Sequence, residues 1–412
     1  MPPRRLLLDF SPLRRQGFRN IFFGRTVAVF GIGFVMVAVP LQVYSLTGST
    51  ADVAAVSAAV GVATFAGTML GGVLADRRDR RRVIIIARAT AAVAFVVLAG
   101  NALLPEPMLP VIYFCGMLEG LANGVSGTAL MAATPALVSR DKLAAAGALM
   151  ALMSDIGSVT APALGGLLVA QAGFWANYAV CAVAGIVTVL FVGRLPELPP
   201  PAKAVHEPPL KALGAGLRYV SRDRIVGPVL LAGLVASALT GWNVLLPEFG
   251  REALGLGPRE LGLLYAAPAA GALLATLTSG WTGTVRRKGA TAMAALLVSA
   301  AGLTAVSLPG GLITAAAGLV LFGVARVTGD VMRYAIVQEY TPDDFRGRVA
   351  GLWSAQMAVG LSLGAAVAGG ISALVPPERL YLVHGALGMT ATLALILSFP
   401  ALRRMAAAPV PD

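Results

Sequence analysis

The chain has 412 residues, 57% of them hydrophobic and only 13% charged, and its mean hydropathy is +0.79. Soluble proteins carry about 25% charged residues, so this composition excludes a soluble globular domain and leaves a polytopic membrane protein set in a lipid bilayer. The net charge of +12 then follows membrane topology and implies no nucleic-acid partner.

Residues 1–19 are basic but lack a short apolar stretch followed by a small-residue cleavage site, so no cleavable signal is expected. Apolar runs long enough to cross a bilayer core of roughly 30 Å then recur. Twelve spans are predicted, at residues 20–46, 52–75, 83–103, 109–137, 145–170, 174–194, 225–249, 259–281, 290–308, 311–338, 348–374 and 380–400. Polar or proline-bearing turns such as Thr47-Gly48-Ser49-Thr50 and Leu104-Pro105-Glu106-Pro107 separate them. Cys115 and Cys181 fall inside spans and are expected to be free thiols. The longest break holds Pro196-Glu197-Leu198-Pro199-Pro200-Pro201, and a basic amphipathic piece at 210–224 follows it, suited to the inner membrane surface. The predicted organisation is an N-terminal six-helix bundle at 1–194, a cytoplasmic linker with an amphipathic segment at 195–223, and a C-terminal six-helix bundle at 224–412.

Between spans 2 and 3 a glycine-rich apolar helix ends in Asp76 and a burst of arginines, and a second apolar helix is predicted from Val83. Five arginines within six residues, 77–82, cannot sit in hydrocarbon, and the positive-inside rule places such short basic loops in the cytoplasm. With both termini cytoplasmic, the inner segments hold 25 Lys and Arg and the outer ones only 3. Four more, Arg25, Arg88, Arg326 and Arg333, lie within spans.

The two halves repeat each other. Gly120-Leu121-Ala122-Asn123 in span 4 matches Gly323-Val324-Ala325-Arg326 in span 10. Gly147-Ala148-Leu149 and Gly165-Gly166 in span 5 match Gly351-Leu352-Trp353 and Gly369-Gly370 in span 11, at one constant offset. Arg286-Arg287-Lys288 is a worn counterpart of the loop after span 2. Two six-span halves so related are the architecture of a transporter with its substrate site between them. Any single glycine pair could instead reflect close helix packing.

The run Gly72-Val73-Leu74-Ala75-Asp76-Arg77-Arg78-Asp79-Arg80-Arg81 resembles the signature loop of the major facilitator superfamily, Gly-x-Leu-Ala-Asp-Arg-x-Gly-Arg-Arg, except that Asp79 stands where the family usually has glycine. Phe18-Arg19-Asn20 and Thr341-Pro342-Asp343-Asp344-Phe345-Arg346-Gly347-Arg348 extend the resemblance over the whole chain, the latter towards proton-coupled drug, macrolide and siderophore exporters. Gly157 through Ala161-Pro162-Ala163-Leu164-Gly165-Gly166 looks like their antiporter motif, Gly-Pro-x-x-Gly-Gly, with Ala161 in place of the first glycine. The resemblance implies an all-α membrane protein with twelve transmembrane helices in two pseudo-symmetric six-helix bundles. It also implies a cytoplasmic latch between the halves formed by Gly72, Asp76, Arg77, Arg80 and Arg81. The arginines alone could equally serve only to fix topology. Pro162, flanked by Gly157, Gly165 and Gly166, interrupts the helix ladder and allows close approach, which makes this stretch a candidate hinge.

Ionisable residues within spans are costly, by about 2.5–3.5 kcal/mol on insertion scales, and so point to function. Span 4 holds Glu119 with Asn123 one turn on, span 5 holds Asp155, and span 10 holds Arg326, Asp330 and Arg333 on one face. In the family, spans 1, 4, 7 and 10 line the central cavity, so Glu119 and Arg326 are expected to face it. Arg326 with Asp330 could instead be an internal ion pair that only holds helices together. Glu119 has no base in its own span, and alternating access would change its exposure to water and hence its proton affinity, as coupling requires. Many proton-coupled members carry an arginine in span 4, and this chain has none there. His206 and His384 have no neighbours that suggest a metal site, and Trp242, Phe249, Trp281 and Trp353 fit interfacial anchors or packing.

These features imply a bacterial inner-membrane secondary transporter, working as a monomer on a small-molecule substrate. The expected activity is export of amphipathic compounds of drug, macrolide or siderophore type, with no cofactor and the proton gradient as energy source. Uptake of a metabolite, lateral movement of lysolipids, and a receptor or scaffold that kept only the fold are the other readings. No catalytic triad, phosphate-binding loop or metal-ligand cluster is visible, so neither an enzyme nor an ATP-driven pump is expected.

Overall fold

The computed structural model describes residues 9–139, 142–199, 209–278, 280, 285–342 and 345–400. Arg140, His206, Trp281, Asp343, Asp344, Arg403 and Arg404, and the linker at 200–208, lie outside the described residues. Within the first unit and the adjoining start of α2 come α1 (Gln16–Thr47), α2 (Thr50–Arg77), α3 (Arg80–Ala102), α4 (Leu109–Leu137) and α5 (Leu143–Gly193). There follow α6 (Pro209–Arg222), α7 (Val226–Ala238), α8 (Trp242–Glu248), α9 (Pro258–Leu277), α10 (Lys288–Val306), α11 (Gly311–Tyr340), α12 (Arg346–Ser372) and α13 (Leu380–Ser398).

Among the described residues, ten helical stretches are long and apolar enough to cross a bilayer, because about 20 residues at a rise of 1.5 Å span its core. One of them, Ala145–Gly193, has 49 residues and crosses twice. Its break is at Gly173, where φ is +82°, a left-handed backbone that glycine adopts without a side-chain clash. With α4, whose one charged residue is Glu119, the crossings among the described residues number twelve. The chain is the all-α twelve-span protein that the hydropathy implies.

Contacts divide the chain into two compact units, Met1–Leu46 with Ala59–Ala204, and Thr47–Ala58 with Val205–Asp412. In the first, α2 and α4 are so close that a Cβ on Gly67 would overlap the Leu121 carbonyl oxygen, and one on Gly124 the Thr64 carbonyl oxygen. The second repeats this between α9 and α11, where Gly271 meets Val320 and Gly323 meets Pro268, again at backbone oxygens. Other equivalent positions do the same work with different chemistry. Tyr178 donates to Gln42 Oε1 at 2.7 Å and Tyr381 to the Trp242 carbonyl at 2.6 Å. Cys181 Sγ lies 3.5 Å from the Gly31 carbonyl, and His384 Nε2 lies 3.3 Å from that of Leu239. His384 is thus a buried packing residue tied to backbone.

Gly67→Ala is expected to force the α2–α4 contact apart and destabilise the first unit by about 1–3 kcal/mol, as overpacking does. Gly72→Ala should not destabilise and should add up to about 1 kcal/mol, because a Cβ there meets no atom and alanine suits a helix interior better than glycine. Thermal unfolding of the two variants in detergent checks the contrast.

Helix α3 starts at Arg80, not at Val83 as the hydropathy suggests. The reason is Asp79, whose carboxylate caps the helix by accepting from the Arg82 amide at 3.2 Å. Cations in a first helical turn oppose the helix dipole. Here they are turned to the C-terminal ends of neighbouring helices, where the dipole favours them. Arg80 donates to the Ala75 carbonyl at 3.2 Å and to that of Ala132 at 2.9 Å, and Arg81 donates to that of Gly193. The start of the linker is pinned to the same loop, since Arg80 N donates to Leu198 O at 3.0 Å and Leu198 N to Asp79 Oδ2 at 3.3 Å.

In the second unit the amphipathic α6 seats on the start of α12. Gly216 lies against Arg348 and Leu352, and Tyr219 stacks on Phe345 at 4.5 Å. Asp223 then caps α7 through the Ile225 and Val226 amides. At the other end of the chain, Asp9 accepts from Lys142 Nζ at 2.9 Å. That bond and one from Ser11 hold the Asp9 carboxyl well below the usual range, so the tie is lost only as pH falls through the lowered value.

Candidate functional site

Helix α4 positions Glu119 and Asn123 one turn apart, both half-buried. Glu119 lines a small cavity inside the first unit, between α1 (Ala28, Gly31), α3 (Arg88, Phe95) and the second half of α5 (Cys181, Thr188). Its basic neighbour comes from α3. Arg88 is 8% exposed, shares the cavity with Glu119, and donates to Asn123 Oδ1 at 3.4 Å. The Arg88 Nε has no hydrogen-bond partner among the described residues, and Arg25 of α1 is within electrostatic range of it. In the sequence Arg88 stands out only as one of four arginines within spans. The signal that would have raised it is the same one that raised Glu119, an ionisable group deep in an apolar helix.

The cavity volume decides what this cluster can do. At about 20 Å³ it has room for about one water molecule, which needs roughly 10–15 Å³. Small-molecule sites measure about 300–1,000 Å³. A carboxylate and a guanidinium around such a space can exchange a proton, but cannot enclose an organic substrate.

The second unit holds Arg326, Asp330 and Arg333 on one face of α11. Arg326 pairs with Asp330 at 3.3 Å, and Arg333 donates to the other carboxylate oxygen. Arg333 is 3% exposed and lies 5.7 Å over the Trp353 ring, while one of its terminal nitrogens is unpaired. Arg326 and Arg333 border a cavity of about 10 Å³ with Ser299 of α10 and Leu239. Here the internal ion-pair network is the arrangement present, one acid between two bases.

The profile of the transmembrane secretion effector family matches residues 8–411. The chain belongs to this family, a branch of the major facilitator superfamily. Among curated relatives, the enterobactin exporter EntS of Shigella boydii serotype 18 is 39% identical over 372 residues, covering 90% of this chain and 89% of that protein. EntS of Escherichia coli O1:K1 is 39% identical over 375 residues, with the same shares. Solved structures share the fold at low identity. The nucleoside transporter NupG superposes with a TM-score of 0.78 at 13% identity, over 93% of this chain and 99% of that one. A peptide transporter of the POT family, in complex with alafosfalin, gives 0.75 at 14% identity over 96% of each. The protein is a multi-pass membrane transporter, not an enzyme.

Within this secretion-effector transporter the remaining candidate residues separate by role. Asp76 and Arg77 are exposed at the end of α2, and Asp76 has no hydrogen-bond or ion-pair partner among the described residues. Arg80 and Arg81 are occupied by the helix carbonyls of their own unit. Asp155 is half-buried on α5 and also has no such partner among the described residues. The stretch 157–166 packs on α1. A Cβ on Gly157 would come within 2.6 Å of Val29, and one on Gly165 within 3.1 Å of Phe34 Cα. Pro162 faces Gly33, and Asn177 donates to the Gly165 carbonyl at 3.2 Å. Pro162, Gly165 and Gly166 are buried, so any bend here must carry α1 with it.

Proposed function

We propose that this transporter exports siderophore-type amphipathic small molecules by alternating access, driven by the proton gradient through Glu119 and Arg88. The observation that carries the export reading is the 39% identity to enterobactin exporters over 90% of the chain. Coupling is supported by a water-sized cavity that holds one carboxylate, one buried guanidinium and little else polar. A proton that binds Glu119 removes its electrostatic attraction for Arg88, and this changes the charge balance among α1, α3 and α4. Such a change shifts a conformational equilibrium only if the two access states hold the proton differently. Asp155, unpaired in its span, is the second place where a proton could act.

The test uses cells that make enterobactin but lack their own exporter. Expression of this protein should restore secretion, and collapse of the proton gradient should remove that secretion. Secretion that persists without the gradient would refute the coupling, and no restored secretion would refute the substrate class.

The charge asymmetry of 25 against 3 supports an inner-membrane orientation with both termini cytoplasmic. A reporter active only in the cytoplasm should therefore give signal when fused after Asp412 and none when inserted near Glu106. The reverse pattern would invert the topology.

A further inference from the structure

A cavity of about 650 Å³, far larger than either charged cluster's, lies on the first unit between α2, α3 and α4. Its walls are apolar. Leu70 and Leu74 of α2, Ile86 of α3 and Leu121 and Val125 of α4 line it, and Leu70 and Ile86 are 51% and 67% exposed. At the end nearest the 77–82 loop it is closed by Arg78, Asp79 and Arg82, with the Thr90 hydroxyl further in. The charges there are not balanced. Asp79 has both carboxylate oxygens engaged by backbone amides, those of Arg82 and Leu198. Arg78 has no acidic partner among the described residues. Arg82 has only Glu197 at 3.9 Å, with both side chains about three-quarters exposed, so that pair is weak. Arg80 and Arg81 in the same loop point away to helix carbonyls.

Two unspent guanidinium groups at the mouth of an apolar groove, at the level where a spanning helix leaves the bilayer, match one kind of molecule. We infer that the groove seats an anionic phospholipid from the leaflet on the loop side. Its phosphate lies between Arg78 and Arg82, and an acyl chain runs along Leu74, Ile86 and Val125. Guanidinium forks suit phosphate oxygens. Basic pockets between transmembrane helices are also where anionic headgroups bind. A dissolved anion would use the arginines but not the walls. A zwitterionic lipid would use the walls but gain little from the arginines. The inference is independent of what the transporter exports.

The experiment is native mass spectrometry of the delipidated full-length protein, titrated with phosphatidylglycerol or with phosphatidylcholine of the same chains. Wild type should retain phosphatidylglycerol about tenfold better or more, as two basic side chains near a membrane surface give. The double variant Arg78→Gln, Arg82→Gln should lose that preference, whereas Arg77→Gln, in the same loop but off the groove, should keep it. Ile86→Trp, which fills the slot without touching charge, should lower retention of both lipids. Equal retention of the two lipids by wild type would overturn the inference. So would an Arg77→Gln loss as large as the double variant's, which would mean diffuse attraction. Unchanged phosphatidylglycerol retention in Ile86→Trp would overturn the groove, and displacement of the lipid by enterobactin would make it a substrate site instead.

Discussion

Glu119→Gln is expected to abolish uphill export, by at least about tenfold, while substrate binding and downhill exchange continue near the wild-type rate. The substitution keeps the size of the side chain and mimics the protonated acid, but removes its titration. If the cavity it shares with Arg88 serves only to hold helices, the variant should cost stability and leave pumping intact. If the cavity is where the proton acts, the variant fixes the site in one charge state, and a gradient can no longer bias the two access states. The cavity of about 20 Å³ is too small to enclose the substrate, so the two functions should separate. Counterflow without a gradient and accumulation with one, measured on the same preparation, read the two functions apart. Normal pumping by the variant would move the proposal to Asp155.

Asp330→Ala is expected to destabilise the second unit strongly. Asp330 is the one acid between Arg326 and Arg333, and Arg333 is almost fully buried. Removing the acid leaves an uncompensated buried cation, which costs about 3–5 kcal/mol. The stacking of Arg333 on Trp353 softens the loss, so about 3 kcal/mol is expected, or a fall of roughly 6–12 °C in unfolding midpoint for a unit of this size. Replacing both Arg333 and Asp330 by apolar residues should recover most of that fall. Fluorescence-monitored melting of the three proteins checks it. If Asp330→Ala melts like wild type, the network has no structural role and must be explained by transport.

Much of the architecture can be read from the amino acids because a bilayer core imposes one requirement, a run of about 20 apolar residues with its backbone bonds satisfied internally. That requirement locates the crossings and the basic loop at 77–82. It does not say which way a helix is turned. These helices are apolar nearly all round, so no hydrophobic stripe marks the buried side. Hence the rotation that brings Arg88 of α3 beside Glu119 and Asn123 of α4 had no local signal, and Glu119 read alone looked unpaired. The same limit hid the contrast between Gly67, wedged against Leu121, and Gly72, which faces open space. The start of α3 at Arg80 was missed for another reason. A capping carboxylate overrides the hydropathy boundary, and whether Asp79 caps depends on the geometry of the turn before it. Likewise Arg80 and Arg81 read as loop charges, whereas their partners are carbonyls 52 and 112 residues distant in the chain.

The central claim, proton-driven export, is tested most directly with purified protein in liposomes under an imposed pH gradient. The orientation measured should be the one in which export fills the vesicle. The account predicts that enterobactin accumulates inside above its outside concentration while the gradient lasts, and that a protonophore returns it to equilibrium. Enterobactin that only equilibrates, at a rate and to a level the gradient does not alter, would contradict it.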